Sequence, residues 1–590
     1  MCSMCEGHNS TAAAAGETAN NEVTEENVNA PTEPDGYSEL RKACREVKLD
    51  EAREIIAQNP GLDLNLSDPD QDGKGYTPLL DLISEAVMNE DGKDAPDFVR
   101  FLVAHGADVK AQDTRGWTGL HHCARWNNDI SVDMAKVLIE LGADVSANQR
   151  ITPKPQPDAV ADSNEHDHEH TGDGCECGQH IGAMLGNAFK LATGKDLDLT
   201  EQTKELDVTP LHHACGYGDN LPIVKLLLEH GAKIDVNDFL AGTPVLVAAQ
   251  DGREEICALL LSKPGGTACL SMRKKTGRLP IHVAAENGTK NIVAMLVEAG
   301  SLVDPIIEGN GVEDREKGLT PLLLACKNAD RHGKLDVIEY LLDHGAKTAH
   351  VAGQGQTALL LSVLAKNVEA AQLLVKHGAD PKAVVGPFED VNALHVAATA
   401  GAADLCQWLV NEAAIGVDTH DDQGYTALIN AAGYSNSPET IRMLVSTLGA
   451  NIEASIDDGR RALHFSAFKG QEAGAKELVA LGADKEAVDG AGWTPMHFAA
   501  RYHHADVIRL LLDSGAEVGR KVDGGPRPKR KDGEEFDISG FTAVDLARII
   551  RGGQDCVDIL VAAGDTLSDE TKDLVDDDLW EEQGGSCCVM

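Results

Sequence analysis

The densest group of chemically capable side chains lies between residues 166 and 180: His166-Asp-His-Glu-His170, then Cys175-Glu-Cys177 and His180. Imidazole nitrogens and thiolates are the usual ligands of zinc and copper, and so short a loop holds enough of them for four-coordination. The spacing lacks the paired Cys-x-x-Cys of structural zinc sites, and the stretch is glycine-rich and acidic. A solvated low-complexity loop is therefore favoured, and no metal is assigned. Asp68-Pro-Asp-Gln-Asp-Gly73 alternates carboxylates as a calcium loop does, but the twelfth position is Leu79, where a bidentate carboxylate is needed.

Other chemistries find less. Gly186 to Gly194-Lys195-Asp196 has the wrong spacing for a phosphate cradle and lacks the hydroxyl residue after the lysine. The sequence contains no Gly-x-Ser-x-Gly elbow, no His-Glu-x-x-His helix and no kinase phrase set. No catalytic residue and no cofactor are assigned, and the chain is expected not to be an enzyme. Arg527-Pro-Lys-Arg-Lys531 has the composition of a nuclear import signal, but a local counterweight to the acidic body is the favoured reading. Cys587-Cys588-Val589-Met590 matches the Cys-a-a-X prenylation box, with the terminal Met pointing to a farnesyl group on Cys587. The upstream tail is acidic rather than basic, and the first "a" position is Cys588 rather than aliphatic. One lipid chain anchors weakly, so Cys2 and Cys5 are the candidates for a second signal.

The elements that would position a binding site appear as a repeated phrase. It reads Thr-Pro-Leu-Leu at Thr77, Thr-Gly-Leu-His at Thr118, Thr-Pro-Leu-His at Thr209, Thr-Pro-Val-Leu at Thr243 and Leu-Pro-Ile-His at Leu279. It continues at Thr320, Thr357, Asn392, Thr426, Arg461, Thr494 and Thr542, mostly in steps of roughly 33–37 residues. Thr caps a helix N-terminus, and Pro fits the first turn because its missing N–H would be unpaired there. An Ala-rich helix follows, then a second, apolar-striped one such as Ile223–Leu228. Each second helix runs into a Gly suited to a left-handed C-cap, at Gly106, Gly142, Gly231, Gly345, Gly378, Gly482 and Gly515.

This pattern resembles the ankyrin-repeat family, over roughly residues 36–565 and about thirteen units, counting a degenerate first copy near Tyr37. The resemblance implies an all-α solenoid of stacked helix-turn-helix units with protruding finger loops. The expected organisation is a disordered segment at 1–35, a first block of repeats at 36–149, and an inserted loop with the His/Cys cluster at 150–206. A second block at 207–565 carries a basic insertion near 520–537, and 566–590 form an acidic tail with the prenylation box. The resemblance also gives His121, His212, His282, His395, His464 and His497 a structural role, bonding backbone and neighbouring units.

Aromatics are scarce, at 4% of residues, so their placement carries information. They recur just before Thr (Tyr76, Trp117, Tyr425, Trp493, Phe541) and eight residues after it (Trp126, Tyr217, Tyr434, Tyr502). Ankyrin-like geometry would turn both registers to the concave face. It would pair Trp117 with Trp126, Tyr425 with Tyr434, and Trp493 with Tyr502 as a protein-binding surface. Padding between adjacent fingers is the competing role. The formal net charge of −44 repels phosphate backbones, so nucleic acid is not an expected partner. The 14 cysteines are scattered, and no secretory pattern opens the chain, so reduced thiols in a cytoplasmic protein are expected. The expected function is a protein-interaction scaffold or adaptor, reversibly membrane-associated through the prenyl group. The alternative is a regulatory subunit or inhibitor of a partner enzyme, with metal sensing through residues 165–180 further behind.

Overall fold

The structure, a computed structural model, describes residues 36–67, 75–88, 92–148, 208–217, 220–238, 242–308, 316–327, 334–383, 391–435, 437–524, 537–549 and 553–568. Outside these fall the carboxylate loop at 68–73, the His/Cys cluster, Arg527–Lys531, the N-terminal cysteines and Cys587.

The described residues form thirteen helical hairpins, from Tyr37–Arg45 with Leu49–Gln58 to Ala543–Arg548 with Gln554–Ala562. β-pairing among them is confined to isolated bridges at finger bases, such as Asp238 with Gly242. First helices stack on first helices and second on second, and the first-helix row is the more closely packed. Small residues permit that approach: Ala124, Ala214, Ala249, Ala284, Ala398, Ala432 and Ala499 all lie buried at the shared faces. The apolar core is one continuous ribbon running through all thirteen units, as expected where each hairpin is too small to bury its own surface.

The repeated phrase closes each first helix in two ways. At Thr77, Thr243, Thr320, Thr357 and Thr426 the Thr hydroxyl alone accepts the N–H three residues on, as from Leu246 to Thr243 at 3.3 Å, and at Thr542 the Asp545 carboxylate accepts the Thr N–H at 3.1 Å. Where His is present, its Nδ1 accepts the N-cap residue's own N–H, at 3.1 Å for Thr118 and His121. The opposite nitrogen then carries the proton and points at a carbonyl of the next finger: Val208 for His121, Gly242 for His212, Pro305 for His282, Thr419 for His395, Ala487 for His464 and Arg520 for His497. The structural expectation for these histidines is met, and each is a neutral clasp between units. Burial holds His121, His212 and His497 down at about 4 and His282 at about 3.

The second helices end as their glycines demand: Gly106 adopts φ 104° and Gly142 φ 93°, conformations costly to any residue with a Cβ. The first unit lacks the Thr phrase and is joined to the second by charge. Asp81, itself buried, receives Arg41 at 2.7 Å and Arg45 at 2.9 Å. Nor does the long insertion part the stack. Units 3 (Gly119–Ala124, Asp129–Glu140) and 4 (Pro210–Gly216, Leu221–Glu229) pack directly, with Asn220 donating to the carbonyls of Ala124 and Trp126 at 2.9 and 2.8 Å. The eight described cysteines are all buried and unpaired, and burial pushes their thiols upward, to about 12 for Cys257.

Candidate protein-binding surface

Seven and eight residues after each Thr, the first helix ends and its last side chains leave the shared core. In unit 3 these are Arg125 and Trp126, in unit 4 Gly216 and Tyr217, in unit 10 Gly433 and Tyr434, in unit 11 Phe468 and Lys469, and in unit 12 Arg501 and Tyr502. Between them, units 5 to 9 place Gln250, Asp251, Glu286, Asn287, Lys327, Leu364, Ala365, Thr399 and Ala400 in that register. Aromatic and cationic groups are therefore gathered at two places along the first-helix edge, one at units 3–4 and one at units 10–12.

The expected aromatic pairs divide unequally. Trp126, Tyr217 and Tyr502 are 37%, 36% and 46% exposed, and Tyr434 is half-buried, so the later register does reach the surface. The earlier register is buried at four of its five positions. Trp117 and Trp493 are each 2% exposed, Phe541 1% and Tyr76 6%, with Tyr425 half-buried. The expectation that Trp117 and Trp493 present their rings to a partner is corrected. They lie at the finger base, where the next unit covers them. Trp117 packs edge-on to His213 of unit 4 with ring centroids 4.6 Å apart and lies beneath the Arg115 guanidinium at 4.0 Å. Trp493 sits 5.1 Å from Phe498 and donates its indole N–H to the carbonyl of Gly524 at 2.6 Å.

Histidine, aspartate and arginine side chains outside the aromatic registers complete both groups. Around units 2–4, His122 meets the rings of Tyr76 and Trp117 edge-on at 5.3 and 5.4 Å, and His213 stacks with Tyr217 at 5.5 Å. Asp113 is buried, and burial alone would raise its carboxyl. His122, Arg115 and the Trp117 N–H outweigh that and hold it low. Arg125 covers Trp117 at 5.7 Å and Tyr217 at 5.1 Å. Trp117 Nε1 and His213 Nδ1 inside this group have no hydrogen-bond partner, and His122 Nε2 faces only the Asp113 carboxylate, at a long 3.5 Å. Desolvation keeps His213 neutral, far below its ordinary value.

At units 10–12, Lys469 lies 5.3 Å from the Tyr434 ring and 4.8 Å from Phe468, and Tyr502 meets Phe468 edge-on at 4.5 Å. Arg501 stands beside Tyr502, half-buried. A signal for these residues was available: Arg125, Phe468, Lys469 and Arg501 share the register already singled out for Trp126 and Tyr502.

The arrangement suits recognition by stacking and charge. No group of three or more His, Cys, Asp or Glu side chains among the described residues could hold a metal ion. No described helix is long and apolar enough to cross a membrane.

Comparison with known proteins agrees with the repeat architecture. The pattern for ankyrin repeats (three copies) matches residues 40–149, 180–271, 211–306, 266–348, 299–385, 382–456 and 448–522. The chain is similar to the human transient receptor potential cation channel subfamily A member 1, at 29% identity over 53% of this chain and 28% of that protein. It is also similar to human ankyrin repeat and SOCS box protein 16, at 28% identity over 41% of this chain and 53% of the relative. Human SH3 and multiple ankyrin repeat domains protein 2 shares 30% identity over 32% of this chain and 10% of its own length. The chain thus covers at most about half of any of these relatives. With the helical hairpins, their caps and the matched pattern in agreement over most of its length, the chain belongs to the ankyrin-repeat family.

Proposed function

We propose that this protein is a non-enzymatic scaffold or adaptor that holds partner proteins along its first-helix edge. The observation that carries this is the exposure of Trp126, Tyr217 and Tyr502 beside Arg125, Lys469 and Arg501, in a chain where aromatics are few. Tyr, Trp and Arg dominate interface hot spots: the two aromatics bury a large area with few rotatable bonds and keep a polar handle, and Arg adds a planar cation that stacks on rings and pairs with carboxylates. The repeat-protein relatives support this reading, since ankyrin stacks offer an extended curved face rather than an enclosed pocket. The tail adds a second element: a farnesyl group on Cys587 would bring the protein and its partners reversibly to the cytoplasmic side of a membrane.

Two experiments test these parts separately. Replacing Tyr434 and Tyr502 by Ala in the full chain is expected to weaken partner capture at least about tenfold while the helical signal stays unchanged. Unaltered capture would remove the assignment. For the lipid, intact mass from a eukaryotic host should exceed the sequence mass by one prenyl group and return to it in Cys587→Ser. An unmodified wild-type mass ends that part.

A further inference from the structure

In a chain of net charge −44 most described arginines find a carboxylate: Arg442 binds Glu477 at 2.8 Å, Arg461 binds Glu453, and Arg278 binds both Glu286 and Glu316. Arg501 belongs to the smaller group that does not, with Arg125, Arg253, Arg520 and Arg548. Its Nη1 is buried with no hydrogen-bond partner, and no described carboxylate pairs with it. Desolvation lowers its pKa, opposed only by the Tyr502 hydroxyl. Lys469, one unit earlier, likewise has aromatic rings but no described acid around its ammonium. The patch at units 10–12 therefore offers two uncompensated cations set among Tyr434, Phe468 and Tyr502, the last of these 46% exposed.

The complement to such a surface is a segment that alternates acids with large apolar groups. Residues 569–582 have that composition: Asp569-Glu-Thr-Lys-Asp-Leu-Val-Asp-Asp-Asp-Leu-Trp-Glu-Glu582 holds eight acids against one lysine, together with Leu574, Val575, Leu579 and Trp580. The chain enters this segment from Ser568, whose N–H donates to Asp545 at 2.8 Å in unit 13, the neighbour of unit 12. Ten residues beyond Ser568 can span up to roughly 33 Å, enough to run back across the adjacent units. A tether this short raises the local concentration of the tail to the order of millimolar, so even a weak contact would occupy the patch until a partner competes for it.

We propose that residues 569–582 dock in cis on the patch formed by Tyr434, Phe468, Lys469, Arg501 and Tyr502, with carboxylates on the two cations and Trp580 on the exposed rings. This rests on the reading that the edge is where partners bind.

Hydrogen exchange read by mass spectrometry on the full chain provides the test. In a variant carrying Asp576→Asn, Asp577→Asn, Asp578→Asn and Trp580→Ala, amides around 434–435 and 498–504 should exchange at least about threefold faster than in the wild type. Adding a synthetic 569–582 peptide to that variant should restore the protection, and should fail to do so when Lys469→Glu is also present. Lys469 is half-exposed, so its replacement leaves the core intact. Identical exchange in wild type and tail variant, with no protection by the peptide, would overturn the proposal. If exchange is unchanged while Tyr434→Ala/Tyr502→Ala still loses partners, the tail proposal fails and the binding edge stands. Tail-dependent protection together with undiminished capture by that double variant would leave the cis contact and remove the binding edge.

Discussion

Units 2–4 and units 10–12 spend the same kinds of side chain in different ways. Around Trp117 the rings of Tyr76, His122, His213 and Tyr217 interlock across three units, with Arg115 tied to Asp113 and Arg125 laid over the outermost ring. At units 10–12 the buried member of the set, Trp493, is hydrogen-bonded to its neighbouring finger, while Tyr502 is 46% exposed with Lys469 and Arg501 half-buried near it. The first region is knitted inward and leaves Trp117 Nε1 and His213 Nδ1 without partners, whereas at units 10–12 the unpartnered buried atoms belong to Asn430, Arg501 and His503, and Lys469 has no described acid beside it. The difference shows that an aromatic register in a stacked array divides by position within the unit. Rings at the finger base are mostly buried in the stack, and rings at the helix end reach the surface.

The sharpest way to break this contrast is truncation. Trp117→Ala and Trp493→Ala should each destabilise their neighbourhood by about 3–5 kcal/mol, the usual cost of emptying a buried aromatic site. Tyr502→Ala and Trp126→Ala should cost less than about 1 kcal/mol in stability. Urea unfolding of the four variants decides it. Comparable losses at buried and exposed positions would erase the distinction between registers.

Next in size is the aspartate at the finger turn. Asp113 and Asp489 both accept the N–H of the following Trp, at 2.9 and 2.8 Å, but only Asp113 also serves an arginine and a second histidine. Asp113→Asn is therefore expected to cost about 1–3 kcal/mol, and Asp489→Asn clearly less. Equal effects in denaturant titration would show that the Arg115 and His122 contacts contribute nothing.

Acidity should then act on the region richest in buried histidines. Burial lowers the folded pKa values of His121, His122, His212 and His213, with His121 and His212 held at about 4. A depressed histidine gives its full contribution above the unfolded value near 6.5, and loses it as the pH falls toward the folded value. Between pH 7.5 and 5.5, His121 and His212 should each give up about 1 kcal/mol, before most carboxylates titrate. Limited proteolysis across that range should open units 3–4 before units 10–12. Cleavage appearing first at units 10–12 would contradict the assignment.

What the residues alone revealed follows from how local each interaction is. The Thr phrase, its His and the glycine after each second helix act within a few residues of themselves, so spacing exposed them, and all three behave as their chemistry requires. The burial of Trp117 and Trp493 depends on His213, Phe498 and the next finger, partners up to 96 positions away, and no local pattern announces it. The buried Arg41–Asp81–Arg45 triad that secures the degenerate first unit escaped notice for the same reason. Arg125, Lys469 and Arg501 were legible in principle, since they share a register with Trp126 and Tyr502, but only if every residue at that register is read.

Binding of partners to the first-helix edge, proposed above for its exposed aromatic and cationic ends, is open to a direct test. Quantitative affinity capture should compare the wild-type chain with Tyr434→Ala/Tyr502→Ala, with Trp126→Ala/Tyr217→Ala, and with Arg442→Ala on a second helix of unit 10. Loss of the same captured proteins in either of the first two, with retention in Arg442→Ala, is the predicted result. Capture that survives both aromatic double variants but falls with Arg442→Ala would place binding on the opposite face and contradict the account.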